Sequence, residues 1–119
     1  MNLEQARLYC LSKHGTEESL PFGPETLVYK VAGKIFALMG LDNINASINL
    51  KCDPDLAINL REKYSEVTPG YHMNKNHWNT VILEGSISDT ELKDMIDHSY
   101  QLVFAGLPAK VRRELTENL

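Results

Sequence analysis

The chain has 119 residues, 43% apolar and 24% charged, the balance of a globular domain rather than of a disordered or fibrous chain. Twelve Lys and Arg against sixteen Asp and Glu give a formal charge of −4, which excludes a uniformly basic nucleic-acid coat but not a local basic patch. No apolar run approaches the ~20 residues that span a bilayer, and Met1 to Lys13 lacks the features of a secretory signal, so one cytoplasmic domain over 1–119 is expected.

Asn2 caps a first helix, with Gln5 completing a capping box. Leu3, Ala6, Cys10 and His14 recur at helical spacing, and Gly15 stops the run. Residues 16–25 hold two prolines and a glycine, so a loop is expected, with Phe22 tucked into the core. The period then changes to two. Thr26 to Ala32 and Lys34 to Met39 read as a hairpin about an Ala32–Gly33 turn. That register sets Val31 against Lys34 and Tyr29 against Phe36. It puts Leu27, Tyr29, Phe36 and Leu38 on one face, and Val28, Lys30, Ile35, Ala37 and Met39 on the other. Both faces are apolar, so the pattern alone does not choose the core side.

Ile44, Ala46, Ile48, Leu50 and Cys52 alternate with polar residues, the mark of a half-buried strand. Asp53 with Pro54 starts a second helix, whose stripe is Leu56, Leu60 and Tyr64. Pro69 and Gly70 break the chain. Tyr71 to Met73 and Trp78 to Leu83 then read as strands around an Asn74–Lys75–Asn76 turn. Ser88 and Glu91 cap a long helix with Leu92, Met95, Ile96, Ser99, Tyr100 and Val103 on its inner face. Gly106 and Pro108 end it, and a short helix bearing Val111 and Leu115 follows. The order implies an α+β fold: an antiparallel sheet of about five strands with helices packed on one face.

Chemistry is concentrated in residues 69–80, PGYHMNKNHWNT, which carry two histidines, three asparagines, a lysine, a tyrosine and the sole tryptophan. Lys75 at a turn tip could reach a phosphate, with asparagine donors beside it. His72 and His77 match no metal-ligand spacing and lack a third ligand nearby, so no metal or other cofactor is expected. Nor does a nucleophile motif accompany them, and no catalytic residue is assigned. Gly33–Lys34 lacks the remainder of a phosphate-binding loop. Cys10 and Cys52 read as free, buried thiols. Lys110, Arg112 and Arg113 add positive charge near the C-terminus.

The stretch Phe22-Gly23-Pro24, Thr26 to Val31 and Gly33 to Ala37 resembles the front half of the MmcQ/YjbR family. So does Asn49-Leu50-Lys51-Cys52-Asp53-Pro54. The most specific match is Pro69 to Lys75 with His77-Trp78-Asn79-Thr80, and Asp97 to Tyr100 resembles the closing helix of that family. The resemblance implies a bacterial cytoplasmic protein with a CyaY-like fold. It further implies a non-enzymatic module that binds double-stranded DNA through a double wing of β-hairpins. Carried over by position, Lys30, Lys34, Lys51 and Lys75 would meet phosphates, and Arg112 and Arg113, which lie beyond the resemblance, could join the same phosphate-contacting patch. Tyr71, His72, Asn74, His77 and Trp78 would supply hydrogen bonds or stacking. The alternative is a protein- or small-ligand-binding module using the His72–Trp78 hairpin. An enzyme would rest on His72 and His77 alone.

Overall fold

The computed structural model describes residues 1–41, 44–70 and 73–117. The elements run α1 (Leu3–Leu11), β1 (Thr16–Ser19), β2 (Thr26–Val31), β3 (Lys34–Gly40), β4 (Ser47–Lys51) and α2 (Pro54–Lys63). They continue with β5 (Val67–Pro69), β6 (Trp78–Ile82), α3 (Asp89–Ala105) and α4 (Ala109–Glu117). The strands form one sheet in the order β1-β2-β3-β4-β6-β5, with every neighbour antiparallel. The fold is α+β, as expected, with six strands rather than about five.

The helix starts follow the sequence signals. Asn2 Oδ1 accepts from the Gln5 amide at 2.8 Å, and Gln5 Oε1 accepts from the Asn2 amide at 2.9 Å. Asp53 accepts from the Leu56 amide and Ser88 from the Glu91 amide, both at 3.2 Å. Each cap satisfies an amide that the first helical turn leaves without a partner.

Two strands differ from the sequence reading. Residues Thr16–Ser19, expected to be loop, pair with β2 as an edge strand. Their sequence, TEES, has no apolar alternation, and only pairing with a strong neighbour makes it extended. The partner of β6 is Val67–Pro69, not Tyr71–Met73. Tyr71 and His72 lie outside the described residues, and Met73 is not in a strand. Phe22, expected in the core, is 67% exposed.

The β2–β3 hairpin turns at Ala32 (φ 48°) and Gly33 (φ 79°), the two-residue turn whose twist matches that of the strands. Val31 faces Lys34 as expected, but Tyr29 faces Ala37 while Lys30 faces Ile35. Phe36 is therefore an extra residue in β3, a β-bulge. The bulge puts Phe36 and Ala37 on one side and reverses the parity beyond them. Tyr29, Phe36, Ala37 and Met39 all face the main core, and Leu38 crosses to Val28 and Ile35 on the other face. The facial assignment of Ala37, Leu38 and Met39 read from strict alternation is thus inverted.

All four helices serve one side of the sheet. Ala6 and Cys10 of α1, Leu92, Ile96 and Val103 of α3, Leu60 of α2 and Leu115 of α4 pack with the inner strand residues. Among the described residues, the opposite face carries no helix. Its small apolar cluster is Val28, Leu38 and Trp78, flanked by Ile35 and Met73.

Candidate nucleic-acid interface

Antiparallel register brings separated segments to one end of the sheet. The β2–β3 turn, the end of β4 at Lys51, the start of β6 at Trp78 and the end of β5 at Pro69 lie together there. Strand alternation sets Lys30 and Lys51 on the open face, where Lys30 pairs across with Ile35 and Lys51 with Trp78. Two strand spacings, about 10 Å, separate the two lysine positions. Lys34 stands at the hairpin tip and is exposed, and Lys75 is exposed in the segment joining β5 to β6. Among the described residues, none of these four lysines forms an ion pair. Glu17 is the cross-strand neighbour of Lys30 and brings a carboxylate to the same row.

The β5–β6 connection is fastened from several sides. Gly70 donates to the Trp78 carbonyl at 2.9 Å, and a Cβ at Gly70 would lie 3.0 Å from Trp78 Cβ, so any larger residue would have to push Trp78 aside by a few tenths of an ångström. Asn74 accepts from the Asn76 amide through Oδ1 and from the His77 amide through its carbonyl, both at 3.0 Å. Its side-chain oxygen thus builds the turn that presents Lys75. The His77 carbonyl accepts from the Cys52 amide at 2.7 Å, while the His77 side chain is exposed. Trp78 is 9% exposed, so it anchors the open-face cluster rather than offering a ring to a base.

Arg61 of α2 was not singled out by sequence reasoning, yet it is the principal clamp. Its Nε donates to Asn79 Oδ1 at 2.7 Å, and its Nη2 donates to the carbonyls of Lys75 and Trp78. One guanidinium, with its fixed fork of donors, thereby ties α2 to the lysine-bearing turn. No sequence signal marks Arg61, which reads as one more charge near the end of a surface helix.

Ser99 is the second residue whose role only the structure reveals. It is fully buried on α3, donates to the Phe36 carbonyl at 2.6 Å and accepts from the Lys51 amide at 2.9 Å. The β3–β4 ladder ends at Ala37 and Leu50, and Ser99 bridges these two backbone groups just beyond it. Ser99 therefore stabilises the bulge and fixes the backbone at Lys51.

Arg112 and Arg113 are not brought together with the lysines on the open face. They belong to α4, which packs Val111 and Leu115 on the helical side, and they line a shallow cleft with Phe104. Among the described residues, no three His, Cys, Asp or Glu side chains come together to hold a metal. Cys10 and Cys52 are free and buried, and burial pushes their thiols up to about 12 and about 11. Neither supplies a thiolate nucleophile at neutral pH. No helix among the described residues is long and apolar enough to cross a membrane.

Comparison with known proteins agrees with this architecture. The YjbR family model matches residues 11–102. The YjbR protein of Escherichia coli K12 is 34% identical over 117 residues, covering 98% of this chain and 99% of that protein. YbdF of E. coli O157:H7 is 38% identical over 112 residues, covering 94% of this chain and 92% of its own length. A Deinococcus radiodurans crystal structure carrying a DUF419 domain superposes with a TM-score of 0.90 at 33% identity, covering 97% of this chain and 88% of that one. A Pseudomonas syringae crystal structure gives 0.76 at 32% identity, covering 87% of this chain and 99% of its own. The chain belongs to the YjbR family.

Proposed function

We propose that this YjbR-family protein is a non-enzymatic module that binds double-stranded DNA through phosphate contacts at the hairpin end of its sheet. The β2–β3 and β5–β6 hairpins act as the two wings, with the end of β4 between them. Their centres lie about three strand spacings, ~14 Å, apart. The observation that carries this reading is the convergence of Lys30, Lys34, Lys51 and Lys75 on one end, without an ion pair among the described residues.

Lysines act as point charges toward phosphate and read no base, so binding is expected to be independent of sequence. This local concentration of cations offsets the formal charge of −4 only at short range, which makes the interaction sensitive to salt. Four phosphate contacts give a log–log salt slope of about −3 to −4, hence a loss of ~10²-fold between about 50 and about 200 mM salt. Titration of a labelled duplex over that range tests the reading. Lys75→Ala should weaken binding and flatten the slope by about one unit while leaving stability unchanged. Absence of binding at low salt, or a slope unaffected by the substitution, would overturn it.

A further inference from the structure

A cavity of about 300 Å³ opens between α2 and α3 on the helical side of the sheet, away from the open face. Leu50 and Val81 form its floor, Leu56 and Leu60 one wall, and Met95 the other. This size and apolar lining suit a small organic molecule. At the floor stands Asn79, 2% exposed. Its Oδ1 is held by Arg61 Nε at 2.7 Å, which fixes the orientation of the amide. Asn79 Nδ2 is then left buried without a hydrogen-bond partner. A buried donor kept without an acceptor opposes folding, and such groups need a reason to persist.

The rim limits what could serve. Glu91 and Asp94 of α3 and Lys63 of α2 line the mouth. Lys63 Nζ lies 3.9 Å from Glu91 Oε1, so its charge is already engaged, while Asp94 has no ion pair among the described residues. His98, also on the rim, uses Nε2 to accept from the Asp53 amide at 3.2 Å, which occupies that nitrogen with a fold contact. Lys51 also borders the cavity, but strand alternation sets its side chain on the open face, so an anionic ligand would meet the unpaired Asp94 carboxylate at the mouth with no cation facing it on the helical side. The acceptor that suits Asn79 is therefore a neutral one.

The geometry points to a binding site for a small, uncharged carbonyl compound, an amide or lactam on an apolar body, whose oxygen accepts from Asn79 Nδ2. The site shares Arg61 and Lys51 with the phosphate-contacting end, but does not depend on DNA being bound there. The Asn79→Asp variant keeps an oxygen for Arg61 but removes the donor, at almost unchanged shape.

Benzamide serves as the probe, with toluene and benzoate as controls, and the side-chain amide resonances of Asn79 in a ¹⁵N-labelled sample report contact directly. Benzamide should shift those resonances saturably, with benzoate and toluene weaker. Asn79→Asp, followed by backbone resonances at the cavity, should weaken benzamide by about ten-fold or more, the scale of one lost hydrogen bond in a buried site. Leu56→Trp, at a partly exposed position on the rim, should block the cavity without disturbing the core. The inference is overturned if benzamide leaves the Asn79 amide unmoved or if toluene binds equally well. It is also overturned if either variant responds like the parent, or if the Asn79 amide contacts a long-lived water that benzamide does not displace.

Discussion

The two faces of the sheet bury apolar side chains by different means. On the helical side, Tyr29, Met39, Ile48 and Val81 lie under α1 and α3, so cover is shared among many residues. On the open side, Val28 and Leu38 owe their burial to a cluster in which Trp78 is the one large member. A face with no helix can still be partly dry, provided one aromatic ring lies across it. The cost is that stability on that face is concentrated in a single residue, next to the lysines that function would use.

The largest expected effect follows from that concentration. Trp78→Ala should destabilise the protein by about 3–5 kcal/mol, seen as a lower denaturant midpoint. A loss below about 1 kcal/mol would mean that the open-face cluster does not depend on the ring. Next is the serine of α3 that bridges β3 and β4 from the helical side. Ser99→Ala strands the Phe36 carbonyl and the Lys51 amide, and should cost about 2–4 kcal/mol for two buried groups left without partners. If the bulge were held by the hairpin alone, the loss would be a few tenths of that.

The helical side also carries the pH dependence. Burial raises the Cys10 thiol to about 12 and the Cys52 thiol to about 11 from 9.0, and it raises the Tyr29 hydroxyl, which donates to Glu18 at 2.8 Å. A group whose pKa is higher folded than unfolded stabilises the fold below the unfolded value and loses that contribution as pH climbs past it. Denaturant midpoints should therefore fall steadily from about pH 9 upward, the unfolded chain losing its protons first. A midpoint that holds level across this range would contradict the burial of these groups.

The open face is also where alternation misled. Helix caps at Asn2, Asp53 and Ser88 were legible because capping is local chemistry. The Ala32–Gly33 turn was legible for the same reason. The facial parity of β3 was not, because Phe36 is absorbed as a bulge through a contact from Ser99, 63 residues away in the chain. The polar strand Thr16–Ser19 was missed since its extended form comes from pairing with β2, not from its own residues. Lys30 and Lys51 were named from sequence, but their shared face depends on register across β3, which no local pattern encodes. Arg61 and the buried amide of Asn79 were invisible as a pair, being joined only when α2 folds back over β6.

The most direct measurement of the central claim is a map of backbone amide shifts as a short duplex is added at low salt. Shifts should concentrate at Lys30, Lys34, Lys51 and residues 73–77, leaving α3 and α4 unperturbed, and they should fade as salt rises. Shifts centred on Arg112 and Arg113 of α4, or no shifts at all, would contradict a DNA-binding role for the hairpin end of the sheet.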